Sequence, residues 1–298
     1  MTKVDVHRIA ALLAIDPIWS VYAIADLQPA MAPYCHWRLH DDSVMHAVAL
    51  IFDGLEPPIL FTAGDPDALV AALAGAPLPK QVYLSVRKEH VAAIARWYDH
   101  HDVRRMWRMV LRSRDTEWGR HGEGKRRSIL EQTAPNLQSP ISPSFDEPLR
   151  LRTSGSENNF RLRRLTGADA PAVKSLFAYG GPFTPDAFAA HQIELGVFYG
   201  VENGVGSLLA VGGTHIVDNT ARVAAIGNMY TRPDCRGQGF ASAVLDAIVT
   251  TLCATNIETI ALNVDQRNVG ARRIYERFGF VVHCPFIEGV ATLKIMTA

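Results

Sequence analysis

The second half of the chain alternates between short apolar or period-two stretches and longer stretches with helical periodicity. The strand-like stretches lie at 160–165, 196–201, 207–216, 223–230, 260–264 and 280–282. Helices are predicted at 167–178 and 268–277, and a third helix with one apolar face begins at Phe240. Hairpins followed by β-α-β units predict an α+β fold built on a mixed sheet.

The first half repeats part of this order. Strands are predicted at 45–52, 59–63, 82–86 and 106–111, with helices at 67–73 and 90–98. The strand and helix at 82–98 have the same layout as the strand and helix beginning at Ile260, 178 residues later. Because identities are almost absent, this is either an architectural repeat or a coincidence of two common strand-helix units.

A polar segment separates the two halves. From Arg114 to about Asn159 the chain is rich in glycine, proline and serine and has few residues suited to a core. We therefore predict an N-terminal domain at 1–113, a linker or insertion at 114–158 and a C-terminal domain at 159–298. The basic run at 125–127 is interpreted as solvated linker charge.

Composition and charge exclude several classes of protein. The 298 residues carry 30 Lys and Arg against 30 Asp and Glu, which gives a formal net charge of zero. We therefore expect neither nucleic acid nor a membrane as a partner, and no apolar run reaches the ~18 residues of a transmembrane helix. The four cysteines form no C-x-x-C pair, which favours a reduced cytoplasmic location and no bound metal.

The segment 231–242, between a predicted strand and the helix at Phe240, carries the most informative chemistry. Glycines stand at 237 and 239, directly before the helix. Backbone N–H groups at a helix start have no intrahelical partner and attract anions, and glycine lets phosphate oxygens approach the backbone. Arg236 can add a charge-assisted contact. The segment is therefore a candidate phosphate-binding loop, and a simple tight turn is the alternative.

The segment lacks the signature of two common phosphate-binding loops. The Lys-Ser/Thr pair of a P-loop is absent, and Ser242 stands where a dinucleotide fold has its third glycine. Instead, Arg236 to Ala241 reads R-x-x-G-x-A and resembles the coenzyme A pyrophosphate loop of the GNAT superfamily of N-acetyltransferases. Asn268, Ala271, Tyr275 and the pair at 279–280 match that family's second signature, N-x-x-A-x-x-x-Y-x-x-x-G-F.

The resemblance covers about residues 160–287 and implies a GNAT-like mixed, mostly antiparallel sheet flanked by helices. The segments 213–215 and 226–231 also resemble a subgroup whose members often carry a degenerate copy of the fold at the N-terminus. We therefore expect two tandem copies, with the N-terminal one degenerate. The acidic segment 63–68 in that copy lacks R-x-x-G-x-A, so no coenzyme is expected there.

The same resemblance implies which residues bind the coenzyme and which act in catalysis. The expected coenzyme-binding residues are Met229, Tyr230, Thr231, Arg236, Gly237, Gln238, Gly239, Phe240, Ala241, Ser242 and Asn268. Asn268 can also act only as a helix N-cap. Tyr275 is the expected general acid toward the thiolate leaving group, and the alternative is a ring that only packs beside Phe278. No metal ligands are expected.

The expected function is transfer of an acetyl group from acetyl-CoA, as co-substrate, to a primary amine of a small molecule or peptide. Direct attack in a ternary complex is expected. The alternatives are a non-catalytic acyl-CoA sensor or scaffold and an N-acyltransferase using longer acyl-CoA. The general base stays open because the strand 223–230 has no carboxylate, which leaves His215, Glu194, Asp218 and Asp186 as candidates. A homodimer is compatible with the sequence.

Overall fold

The computed structural model describes residues 6–42, 46–100, 102–112, 149–151, 160–185 and 188–294. The chain forms two compact units. The N-terminal unit comprises Met1–Met109, Asn263–Arg267 and Val282–Ala298, and the C-terminal unit comprises Val110–Leu262 and Asn268–Val281. The domain boundaries predicted at 113/114 and 158/159 lie outside the described residues and stay a prediction.

The N-terminal unit combines four helices and a mixed sheet in its described part. The helices are α1 Val6–Leu13, α2 Val21–Ala25, α3 Pro66–Leu73 and α4 Val91–Ile94. The strands are β1 Cys35–Asp41, β2 His46–Phe52, β3 Ile59–Gly64, β4 Gln81–Arg87, β5 Tyr98–Asp99, β6 Arg104–Leu111 and, from residue 282, β13 Phe280–Leu293. The strand order is β1-β2-β3-β4-β13-β6, and β5 pairs with β13. Only β3 and β4 are parallel among the recorded pairs of this unit.

Strand β2 is buried on both faces, which explains its continuous apolar sequence. Ala47 and Ile51 pack in a cluster with Leu69 of α3, whereas Leu50 packs in a second cluster with Ile9 of α1. Helices therefore cover both faces of this part of the sheet. A strand in this position loses the polar alternation that marks a half-exposed strand.

The C-terminal unit has the order β12-β11-β10-β9-β8-β7. These strands are β7 Leu149–Leu151, β8 Phe160–Arg164, β9 Tyr199–Glu202, β10 Leu208–Asp218, β11 Val223–Thr231 and, to residue 262, β12 Thr259–Asp265. The helices are α5 Ala170–Phe177, α6 His191–Leu195, α7 Phe240–Ala254 and α8 Val269–Arg277. Here β11 and β12 are parallel, and the other pairs are antiparallel.

Helix α7 is the longest helix in the described residues, with 15 residues, and it buries an apolar face against β10 and β9. No described helix is both long enough and apolar enough to cross a membrane. The predicted α+β class, with mostly antiparallel sheets flanked by helices, is confirmed in each unit.

Three expectations of local structure differ from the structure. The helix predicted at 90–98 is a 3-10 turn, Lys88–His90, followed by the four residues of α4, because Tyr98 instead pairs with Leu293. Strand β1 was not predicted. The strand predicted at 280–282 continues to Leu293. Within this extension Gly289 has a φ of +151°.

The extension of β13 depends on a contact that is distant in sequence. Phe286 through Thr292 pairs with Arg87 through Gln81 of β4 in antiparallel register. Because Pro285 and Gly289 interrupt the local pattern, only this long-range pairing reveals the strand. It also explains why residues from Val282 onward group with the N-terminal unit although we assigned 159–298 to one domain.

Candidate functional site

Strand β11 is longer than its pairing with β12. The parallel register runs from Val223↔Thr259 to Ile226↔Leu262 and ends there. At the next positions β10 and β11 shift register, and Asn228 has a left-handed φ of +54°. On the side facing away from β10, residues 227–231 have no strand partner in the described part of the chain. Their main-chain groups can therefore pair with an extended amide-bearing ligand.

The predicted coenzyme-binding residues on β11 differ in what their side chains do. The Tyr230 hydroxyl donates to Gly180 O at 2.7 Å, and its buried ring packs edge-on against Phe177. Tyr230 and Thr231 also pair with Val211 and Ala210 of β10. The Tyr230 side chain is therefore occupied within the protein, and the main chain of Tyr230 on the side away from β10 is what this residue can offer a ligand.

A short, rigid turn leads from β11 to α7. Pro233–Cys235 forms a 3-10 turn, and Arg232 binds Asp234 through Nε–Oδ1 at 2.7 Å and Nη2–Oδ2 at 2.9 Å. The Arg232 guanidinium also lies over the ring of Tyr179, 5.5 Å from its centroid. The charge of Arg232 is therefore neutralised within the protein.

The two glycines of the loop have the backbone conformation that favours glycine. Gly237 has a φ of +78° and Gly239 a φ of +84°. Gly239 is the N-cap of α7 and provides no side-chain cap; the first helical bond of the segment joins Ala243 N to Gly239 O at 3.0 Å. The amides of residues 237–242 have no hydrogen bond to another described residue. They form an uncapped helix start suited to an anion.

Packing holds the start of α7 in place, and Arg236 adds a positive charge beside it. Phe240 is buried with its ring 4.9 Å from that of Phe160, and Ser242 is also buried, so the first turn of α7 is held against the sheet. Arg236 is exposed, donates from Nε to Thr231 O at 3.3 Å and forms no ion pair with a described residue. Its positive charge is thus available beside the amides.

Asn268 caps helix α8. Its Oδ1 accepts a hydrogen bond from Ala271 N at 3.1 Å, as the N-cap interpretation requires. Its contact with a coenzyme stays a prediction.

Tyr275, on the same helix, combines a packed ring with an available hydroxyl. The residue is buried, and its ring meets that of Phe280 edge-on at 6.1 Å between centroids. The hydroxyl has no hydrogen-bond partner among the described residues. Burial raises the pKa of Tyr275 above its ordinary value of 10. The phenol is therefore protonated throughout the neutral range.

Among the candidate bases in the described residues, His215 lies against Gly227, in the part of β11 that is not paired with β12. A Cβ at Gly227 would collide with Nε2 of His215, so glycine at that position makes room for the imidazole. Asp218 is buried and accepts from Thr220 N and Ala221 N at 2.9 Å, which makes it a turn residue. Glu194 is exposed on α6. Asp186 lies outside the described residues.

Asn228 is a polar residue at this site that the sequence interpretation missed. It is buried, and its Nδ2 donates to Gln192 Oε1 at 3.1 Å, whereas its Oδ1 has no hydrogen-bond partner in the structure as described. A buried oxygen without a donor is costly and is often a ligand-binding group. The Gly-Asn pair at 227–228 was the available signal, because asparagine tolerates a positive φ.

The corresponding helix start in the N-terminal unit is already occupied by its own side chain. After β3, Asp65 Oδ1 accepts from Asp67 N at 2.8 Å and from Ala68 N at 3.2 Å, which caps α3. A phosphate at this helix start would have to displace a carboxylate of like charge. This agrees with the expectation that the coenzyme binds only the C-terminal copy.

Comparison with known proteins gives a family-model match within the C-terminal part of the chain. Residues 172–280 match the family model described as Acetyltransferase (GNAT) family. A solved Drosophila protein is similar over 98% of this chain and 97% of its own, with 13% identity and a TM-score of 0.61. A GNAT-family acetyltransferase from Colwellia psychrerythraea is similar over 97% of this chain and 95% of its own, with 14% identity and a TM-score of 0.51.

A search of curated proteins gives no significant match. At these identities the two solved structures show the fold alone. Since they cover almost the whole chain, the fold is consistent with tandem GNAT-like domains, as the sequence predicted.

The capping role of Asn268 gives a testable prediction about stability. We expect N268A to lower the free energy of unfolding by about 1 kcal/mol because it removes the bond to Ala271 N. N268D keeps a capping oxygen and is expected to retain stability. Urea unfolding measures both variants, and N219A serves as a control because Asn219 is exposed in a turn. Equal stability of N268A and the unchanged protein would contradict the capping role.

Proposed function

Residues 172–280 form an acetyltransferase domain of the GNAT family, and we propose that this acyltransferase moves an acetyl group from acetyl-CoA to a primary amine by direct attack in a ternary complex. The observation that carries the proposal is the uncapped start of α7, where the amides of 237–242 have no hydrogen bond to a described residue. These amides and Arg236 would hold the coenzyme pyrophosphate. The pantetheine arm would pair with the open main chain of 229–231.

Tyr275 would donate a hydrogen bond to the thioester sulfur. As the amine nitrogen attacks the acetyl carbon, the C–S bond breaks and negative charge develops on sulfur, whose thiol has a pKa near 8.5 if cysteine is a fair guide. The raised pKa of Tyr275 keeps the donor protonated but makes it a weak acid. Hydrogen bonding to the developing thiolate is therefore the contribution that this environment favours.

His215 would receive the proton that the amine must lose. For an amine like that of lysine, with a pKa near 10.4, deprotonation at pH 7 costs about 4.6 kcal/mol. Histidine is the usual side chain for proton transfer near neutral pH, and the His215 ring lies against Gly227, two residues before the segment that would bind pantetheine. The unpartnered Oδ1 of Asn228 would accept a hydrogen bond from the bound amine.

A thiol-release screen tests the proposed function. The protein is incubated with acetyl-, propionyl- and longer-chain CoA and a panel of polyamines, amino acids and peptides, and free thiol is measured. We expect at least one amine to raise release above the hydrolysis background, with acetyl-CoA the preferred donor. If coenzyme A binds but no amine raises release, the protein is an acyl-CoA sensor or scaffold. Faster transfer from a longer acyl-CoA than from acetyl-CoA would instead show an N-acyltransferase that uses longer acyl-CoA.

The phenylalanine variant of Tyr275 tests its role in the reaction. We expect Y275F to lower kcat by about 10- to 100-fold, the value of one hydrogen bond to a charged group, with coenzyme affinity unchanged. The exposed Tyr179 provides the control variant Y179F. The wild-type pH profile should show no loss from Tyr275 ionisation below about pH 10, since its pKa is raised. Equal losses in kcat and affinity would assign Tyr275 to binding.

The proposed base is tested by pH and by the basicity of the acceptor. We expect H215Q to lower kcat/KM by about 100-fold for an amine of pKa near 10 at pH 7, within the usual range for general-base catalysis. The loss should shrink at higher pH and for acceptors of low pKa, which need no base. The control is H36Q, because His36 lies exposed in the N-terminal unit. A loss independent of pH and of acceptor basicity would remove His215 from proton transfer.

A further inference from the structure

The N-terminal unit contains a cavity of about 280 Å³ at the carboxyl ends of its two parallel strands. Gly64 ends β3 and Arg87 ends β4, and both line the cavity. The segment after α1 closes it with Asp16, Trp19 and Ser20. The carboxyl ends of parallel strands are frequent ligand-binding positions in α/β sheets.

Two buried wall groups, the Ser20 Oγ and the Arg87 Nε, have no hydrogen-bond partner among the described residues. Ser20 is 1% exposed, and its Oγ has no hydrogen-bond partner in the structure. A buried hydroxyl without a partner costs about 1–3 kcal/mol, so such groups are rare unless a ligand satisfies them. The Ser20 hydroxyl therefore points to a polar ligand group in the cavity.

Two carboxylates and one guanidinium line the cavity. Arg87 binds Asp16 at 2.8 Å and Glu89 at 2.7 Å, so one guanidinium faces two carboxylates. Nε2 of the His90 imidazole donates to Gly64 O, and Nδ1 is hydrogen-bonded with Thr62 Oγ1, both at 2.9 Å. Burial lowers the pKa of His90.

The two carboxylates differ in how fully they are satisfied. Asp16 accepts from Trp19 N, from Nε2 of His283 and from Nη1 of Arg87, which occupies both of its oxygens. Glu89 has a side chain that is 48% exposed, and Arg87 Nε is its recorded partner. Glu89 is therefore the carboxylate that can accept from a ligand.

The remaining wall is apolar and the volume is small. Leu12, Ile15 and Ala63 contribute aliphatic surface to the same cavity. At about 280 Å³ the cavity lies at the lower end of the range for small-molecule sites. It suits a ligand with one polar end and a short hydrocarbon chain.

We propose that this cavity binds a small primary alkylammonium ion, whose ammonium group donates to Ser20 Oγ and Glu89 and whose alkyl chain packs on Leu12 and Ile15. The site is independent of the coenzyme loop, since its residues belong to the N-terminal unit and Asp65 caps the neighbouring helix α3. Binding needs no catalytic activity.

Calorimetry with three matched probes on the full-length protein tests the site. The probes are n-butylammonium, 1-butanol and butyrate, which share a chain length and differ in charge. We expect butylammonium to bind at least about tenfold more tightly than the other two, as a charged hydrogen bond requires. No measurable binding of butylammonium, equal binding of butanol or tighter binding of butyrate overturns the proposal.

Two variants assign the binding to the proposed groups. S20A and E89Q should each weaken butylammonium binding by about tenfold, whereas S207A and E258Q, at exposed positions of the C-terminal unit, should leave it unchanged. S20A should also retain its free energy of unfolding, because the hydroxyl has no partner to lose. Unchanged affinity in S20A and E89Q overturns the site. A destabilised S20A would show that Ser20 has a structural role, and this result also overturns the site.

Discussion

The uncapped start of α7 is the feature on which the candidate site depends. A helix start leaves several amides without intrahelical partners, and proteins commonly satisfy them with an N-cap side chain. In the N-terminal unit Asp65 does this for α3, whereas in the C-terminal unit Gly239 stands at the N-cap and has no side chain to offer. The same local architecture therefore gives a closed helix start in one unit and an anion-binding one in the other.

The hydrophobic core gives this helix start a fixed position. Most of α7 is buried, beginning with Phe240, so the helix start cannot shift without losing packing. Ending the β11–β12 register at Ile226 exposes the neighbouring main chain. Polar groups held without partners next to each other are preorganised for a ligand, which lowers the cost of binding.

The parts predicted from sequence are those determined by local chemistry. The glycines at 237 and 239 and the cap at Asn268 follow from backbone requirements that a few residues reveal. The second half of β13 could not be predicted, because its pairing partner in β4 lies about 200 residues away in the chain. The helix expected at 90–98 failed for the same reason, since pairing of Tyr98 with Leu293 outweighed helix propensity.

The side chains of the site also fall into two groups, those that the sequence predicts and those that only the packing of the sheet reveals. Arg236 and Tyr275 stand at fixed spacings in motifs, so sequence was sufficient to nominate them. The orientation of His215 over Gly227 and the unsatisfied oxygen of Asn228 depend on a register shift between β10 and β11 that no spacing encodes. Such a shift results from the packing of a whole sheet, and single-sequence patterns do not contain it.

Amide hydrogen exchange with and without coenzyme A tests the central claim most directly. The account predicts that coenzyme A slows exchange at the amides of residues 237–242, which have no partner among the described residues of the protein. It predicts little change at Asp67 and Ala68, whose amides Asp65 already holds. Binding of coenzyme A with unchanged exchange at 237–242 would contradict the account.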